Sequence, residues 1–205
     1  MKVSINKLFL VMVFSLLTLN CFAKTQEEVL AKFSSWDKKL ENLSLSFDQQ
    51  TSFEDILISS SMGKLVKEGE NLILDTYENG KLIQRAWTDK KIIRIFDPEG
   101  NLIMTSDWKT WQQAQTNKAL FDFGNYAQVL KDHTIKSFTE QEENYLLVLE
   151  GNNEEDNQTY ELTFLLDAQS FPVQITLESQ GVKTQTDLKD ININQEVKPL
   201  KESKK

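Results

Sequence analysis

The sequence predicts an α+β domain: a long, curled antiparallel sheet with helices covering one side. Three observations predict it. Residues 25–40 carry apolar side chains at a helical period. Most of the chain from Leu43 to Ile193 alternates apolar and polar residues in short runs separated by turn signals. An aromatic-rich stretch between Ser106 and His133 breaks that alternation.

The elements follow in order. Lys2 and Lys7 bracket a basic start, Leu8 to Leu19 is almost wholly apolar, and Cys21-Phe22-Ala23 follows, the pattern of a secretory signal cleaved after Ala23. The apolar run is about a dozen residues, against the roughly 20 a membrane span needs. Lipid modification of Cys21 is the alternative, disfavoured by the large residue Leu19 and by Asn20 before it. Thr25-Gln26-Glu27-Glu28 matches a capping box. Behind it Val29, Phe33, Trp36 and Leu40 form the apolar face of an amphipathic helix, with Lys32, Lys38 and Lys39 on the polar side.

The period then changes to two. Leu43, Leu45 and Phe47 alternate with Ser44, Ser46 and Asp48, and further strand-like runs span residues 55–60, 62–66, 71–77, 81–88, 91–96 and 102–105. Asn79-Gly80 is a hairpin signal, and Asp97-Pro98-Glu99-Gly100 is a turn with proline and glycine at their favoured positions. Residues 106–133 read as short helices and loops. Strands resume at 135–138, 145–149, 159–166, 173–177 and 183–193, with an acidic loop at 152–157 and a turn at Ser179-Gln180-Gly181. The organisation is thus a signal peptide over 1–23, one domain over 24–195, and a basic disordered tail over 196–205.

Cys21 is the one cysteine in the 205 residues, so a chain cleaved after Ala23 holds no disulfide and no thiolate metal site. The net charge of −8 becomes −10 once Lys2 and Lys7 leave. That balance argues against nucleic acid and anionic headgroups as partners. His133 is the sole histidine and reads as a surface or cap residue. The sequence holds no nucleophile elbow, no phosphate-cradling glycine loop and no histidine-based metal spacing. No catalytic residue, cofactor or metal is therefore assigned, and the chain is read as a binding protein rather than an enzyme.

Within the Ile92–Phe96 run, Arg94 is taken to point away from a dry interior, so Ile93 and Ile95 face inward. The same logic places Leu43, Leu45 and Phe47 inside. The helix and the Trp108–Leu130 stretch supply further bulky apolar groups against one sheet.

Several segments, in order, resemble the periplasmic carriers of outer-membrane lipoproteins, the LolA-like family. They are Leu45-Ser46-Phe47-Asp48-Gln49, Met62-Gly63-Lys64-Leu65, Asp89 to Pro98, and Phe164 to Val173 followed by Gly181-Val182-Lys183-Thr184. The resemblance covers nearly the whole chain after residue 23. It implies an incomplete β-barrel covered by a helical lid over a hydrophobic cavity. The implied cavity and lid residues are Phe33, Trp36, Leu43, Leu45, Phe47, Leu65, Leu72, Leu74, Trp87, Ile93, Ile95, Trp108, Trp111, Leu120, Phe121 and Phe123. It further implies a periplasmic monomer that takes lipoproteins or other acylated lipid cargo from an inner-membrane donor complex to an outer-membrane acceptor. A sensor of the same fold, binding a partner protein or a lipid signal, is the alternative. The chain departs from the family at Lys67-Glu68-Gly69, where Glu68 and Gly69 stand for the family's basic residue and proline. That basic residue is an arginine that bonds to the lid, and Lys67 is the nearest substitute.

Overall fold

The computed structural model describes residues 24–113, 124–153 and 158–194. The expected signal peptide, residues 154–157 of the expected acidic loop, the C-terminal tail and Leu120, Phe121 and Phe123 lie outside the described residues.

Helix α1 (Gln26–Lys39) opens on the expected capping box. Thr25 Oγ1 accepts from the Glu28 N–H at 3.2 Å, and the Thr25 N–H donates to Glu28 Oε2 at 3.0 Å. This reciprocal arrangement satisfies backbone donors that a helix start leaves open. The helix ends at Leu40, where the chain turns into the sheet.

Strands β1 (Asn42–Phe53), β2 (Ile56–Glu68), β3 (Asn71–Glu78), β4 (Lys81–Thr88), β5 (Ile92–Phe96) and β6 (Leu102–Asp107) form a first meander. Helices α2 (Trp108–Gln113) and α3 (Tyr126–Asp132) lie on the path to a second one: β7 (Thr134–Gln141), β8 (Asn144–Asn153), β9 (Gln158–Leu166), β10 (Pro172–Ser179) and β11 (Val182–Ile193). All eleven strands belong to one antiparallel sheet in the order β6-β5-β4-β3-β2-β1-β11-β10-β9-β8-β7. The first and last strands pair in the middle, and β6 and β7 are the two edges, so the sheet is not closed into a barrel.

Local chemistry explains the turns. Asn79 and Gly80 both adopt positive φ (50 and 74 degrees). The two central residues of a type I′ hairpin turn must do so, which is why Asn-Gly is favoured there. The Asp97 carboxylate accepts from the backbone N–H groups of Glu99 and Asn101, holding the turn that Pro98 starts. One expectation needs correction. The runs 55–60 and 62–66 are a single strand, β2, because β1 runs unbroken opposite them: Gln49, Gln50 and Thr51 pair with Ser61, Ser60 and Ser59. The serines interrupt the apolar pattern without interrupting the backbone ladder.

Alternation sets the inner face. On β1, Leu43, Leu45 and Phe47 are buried while Ser44, Ser46 and Asp48 are not. On β9 the same holds for Leu162, Phe164 and Leu166. Buried residues from β5 to β8 belong to one apolar cluster. With neighbouring strands about 4.8 Å apart, a flat sheet of this many strands would be roughly 50 Å wide. A helix rises about 1.5 Å per residue, so α1 reaches only about 21 Å. Helix α1 by itself is therefore too short to cover the whole face these strands bury, and Trp108 of α2 and Tyr126 and Val129 of α3 join the same cluster. No helix among the described residues is long and apolar enough to cross a membrane.

Candidate functional site

The inner face is built from cross-strand rows. One row runs Leu45–Leu65–Leu74–Ala86–Ile95–Met104 through six consecutive strands, each residue opposite the next. A second runs Ile175–Phe164–Leu147–Phe138 through the other half. Phe47 opposite Leu188 bridges them across the central pair. Such rows make a face of dispersion contacts with few directional groups.

Gly63 is required at this face by its neighbour. It stands opposite Phe47, and a Cβ on it would lie 2.1 Å from Phe47 Cζ and 2.8 Å from the Asp75 carbonyl oxygen. The missing side chain is the space that the Phe47 ring occupies.

Helix α1 packs on this lining by its apolar stripe. Val29 and Phe33 are fully buried. The Phe33 ring stacks on Tyr126 of α3 at 4.5 Å and tilts against Phe164 of β9 at 5.2 Å. Trp36 meets the Phe171 ring edge-on at 5.3 Å, and its indole N–H donates to the Gln169 carbonyl at 3.3 Å. Near α2, Trp108 and Trp111 stack at 5.5 Å.

Polar groups fasten the helix at its margins. Asp37 of α1 accepts from the N–H groups of Tyr126 and Ala127 at 2.6 and 2.8 Å. It thereby caps α3 from outside, where the side chain of the helix's own N-cap residue, Asn125, makes no capping bond. Lys24 donates to the Ala168 carbonyl, and Lys32 donates to Gln169 at 2.8 Å. At the other end, Lys67 projects onto the inner face with 6% exposure. Its ammonium donates to the Leu40 carbonyl at 2.7 Å and to the Gly69 carbonyl at 2.8 Å. The Leu40 carbonyl is one of those a helix C-terminus leaves open, and positive charge there complements the negative end of the helix dipole. Burial pushes the Lys67 pKa down, and repulsion from Lys90 adds to it.

The expected site residues distribute as follows. Phe33, Leu43, Leu45, Phe47, Leu65, Leu72, Ile93, Ile95 and Trp108 are buried in the one cluster, and Trp36, Leu74 and Trp111 pack against it half-buried. Trp87 is a correction. It pairs with Arg94 across β4 and β5, so both side chains share the outer face, and the guanidinium lies 5.2 Å from the indole centre. The tryptophan stands outside because Ala86 and Thr88 hold the inner positions of β4. The main residue missed as a site member is Asp37, which looks like ordinary helix surface in sequence. Its signal would have been the weakly capped start of α3, visible only once the two helices are brought together.

His133 caps the end of α3. Its Nδ1–H donates to the Val129 carbonyl at 2.7 Å, and Nε2 lies 2.9 Å from the Tyr160 hydroxyl. Both ring nitrogens are thereby satisfied in a structural role. Among the described residues no group of histidine, cysteine or carboxylate side chains is arranged to hold a metal.

No family model and no curated protein matches this chain. Among solved structures, a LolA superfamily protein from Nitrosomonas europaea is similar at 12% identity and a TM-score of 0.49, over 85% of this chain and 96% of that one. The Mycobacterium tuberculosis lipoprotein LppX is similar at 10% identity and a TM-score of 0.43, over 85% of this chain and 100% of that one. LprF from Mycobacterium bovis is similar at 9% identity and a TM-score of 0.45, over 80% of this chain and 91% of that one. The first of these bears the name of the family that the sequence motifs resemble.

Proposed function

We propose that the chain is a periplasmic carrier that shelters the acyl chains of lipoproteins, or of a similar lipid, between its apolar inner face and helix α1. The carrying observation is the combination of a wide apolar lining with a cover fastened by a few polar contacts at Lys67, Asp37 and Gln169. Each methylene removed from water is worth about 0.8 kcal/mol, so two or three long chains amount to roughly tens of kcal/mol. An acylated protein cannot cross an aqueous space unless something covers those chains. A cover held by a handful of hydrogen bonds can let go again.

In this reading residues 1–23 direct export and are removed, residues 24–195 form the carrier, and transfer runs from the inner to the outer membrane. No catalytic group is needed, because binding and release are the whole task.

The test is a photoreactive fatty acid with its diazirine midway along the chain, added to the delipidated protein. Saturable labelling of inner-face residues such as Leu74 and Met104, competed by unlabelled fatty acid, is the expected result. Labelling confined to outer-face residues such as Trp87, or no saturable labelling, would sink the proposal. Glutamate in place of Leu45 or Ile95 is a poor probe, because both are buried and an unpaired charge there would unfold the domain before it reported on binding.

A further inference from the structure

The end of the sheet opposite α1 differs from the rest of the surface. Helix α1 sits by the 167–171 loop and the Lys67–Gly69 end of β2. The far rim is formed by the tip of the β1–β2 hairpin, the Asn79-Gly80 turn, the 97–101 turn and the start of β7. The large apolar side chains that the described residues leave exposed all lie toward that rim. Ile56, Leu57 and Ile58 at the hairpin tip are 70%, 58% and 61% exposed, and Phe53 pairs with Ile56 there.

The same hairpin carries an open backbone edge. On one side β2 pairs with β1 along its whole length, but on the other β3 joins it only from Met62 onward. Among the described residues, nothing pairs with the outer edge of residues 56–61. Proteins usually blunt such an edge with lysine, proline or an inward charge. This one carries Ile-Leu-Ile-Ser-Ser-Ser, with only a register shift at Ile58 to twist it.

We infer that this edge receives an extended apolar segment, flanked by basic residues, from another protein, which adds as a strand beside Ile56–Ser61. The unpaired N–H and C=O groups offer the ladder, and the three exposed aliphatic side chains offer the contact. Charge selects the flanks: the exposed carboxylates of Glu54, Asp55 and Glu78 outnumber the lysines Lys81 and Lys183 at this corner. A bilayer fits worse, since hydrocarbon cannot satisfy open backbone groups and would have to take in Glu54 and Asp55 at the tip. A second copy fits worse as well, since it would bring two sets of the same carboxylates together. The inference stands apart from the inner face and holds or fails whether or not that face carries lipid.

The test uses the full exported chain and a labelled peptide with a Val-Thr-Val-Thr-Val centre and two lysines at each end. Anisotropy should show saturable binding, weakened about tenfold or more when glutamates replace the flanking lysines. Alternate amides in residues 56–61 should exchange about tenfold more slowly in the complex. Ile58→Lys, at a solvent-exposed site, should abolish binding while urea stability stays unchanged. Any of five results would overturn the inference. Three concern the peptide: no binding up to about 1 mM, equal binding of the glutamate-flanked version, or protection confined to elements other than β2. The other two are the rival occupants: dimers of the chain that Ile58→Lys abolishes, or Ile58-dependent sedimentation with phosphatidylcholine vesicles, either in place of peptide binding.

Discussion

Lys67 ties the end of α1 to the sheet through its ammonium. Replacing it by methionine keeps most of the aliphatic stem, which passes the Gly124 position at the approach to α3, and removes the ammonium. Two hydrogen bonds from a charged donor are lost, at 2.7 Å to Leu40 and 2.8 Å to Gly69. Bonds to charged groups contribute about 1.5–3 kcal/mol each, but taking an ammonium out of water costs several kcal/mol. Methionine also leaves the Leu40 carbonyl without its donor, and a buried polar group left unpaired costs about 1–3 kcal/mol, so the expected net loss is about 1–2 kcal/mol, felt mainly by α1 rather than by the sheet. Native-state hydrogen exchange reads this directly, since about 1.4 kcal/mol is tenfold in an opening equilibrium. Amides of α1 and its C-cap, such as those of Phe33 and Leu40, should exchange about tenfold faster in Lys67→Met, while those of β8 and β9 hold. Unchanged α1 exchange would refute the clasp, and equal acceleration in β8 and β9 would show that Lys67 supports the whole domain instead. The pH dependence has a definite sign. Because the folded pKa lies below 10.5, the unfolded chain holds more protons between the two values, so stability rises with pH in that window. Wild type should therefore gain on Lys67→Met as pH approaches 10.5. A fall there would show that its carbonyl bonds, not its burial, govern the titration.

Asp37→Ala removes the acceptor for two N–H groups of α3. Losing such a cap should cost about 1–2 kcal/mol. Exchange at Tyr126 and Ala127 should quicken, and unaltered exchange at both would rule out the shared cap. Gly63→Ala forces a methyl group against the Phe47 ring and the Asp75 backbone. Overpacking of this kind should cost about 2–3 kcal/mol in urea melts, whereas a neutral change would mean that the ring moves aside freely. Arg85→Met strips the bidentate partner from the buried Asp75 carboxylate. Arg85 is itself partly exposed, so the loss in urea melts should be about 2–3 kcal/mol, below that of a fully buried pair. Adding Asp75→Asn should recover part of it, and no recovery would mean that the arginine acts through packing alone.

Much of this architecture is legible in the residues because strands and turns announce themselves locally. Leu43, Leu45 and Phe47 fix the face of β1, and Asn79-Gly80 fixes a hairpin, without help from distant parts of the chain. Arg94 likewise gives the face of β5. The same residue could have corrected Trp87, since a hairpin between their strands sets them side by side. Register there depends on the 89–91 turn, however, and hydrophobicity alone points the wrong way. The serines of β2 hide a continuous strand because polar side chains say nothing about backbone pairing. Lys67 is reached only through the family resemblance, and Asp37 not at all. Each is a charged residue whose partner is a backbone group on another element, and no local pattern encodes that meeting.

The pairing of β1 with β11 has a consequence for how the chain reaches this state. Thr51 and Thr184 touch at 3.2 Å across 133 residues of sequence, and the whole seam is equally non-local. Contacts of that separation are made late and slow folding, because the loop entropy must be met before they form. Each meander can assemble from neighbouring hairpins, but the two join only when the last strand arrives. A chain that emerges N-terminus first during synthesis would therefore hold the open side of β1 without a partner until β11 follows. A truncation before Val182 should yield two separate half-sheets with bare inner edges, prone to pairing with the wrong chain.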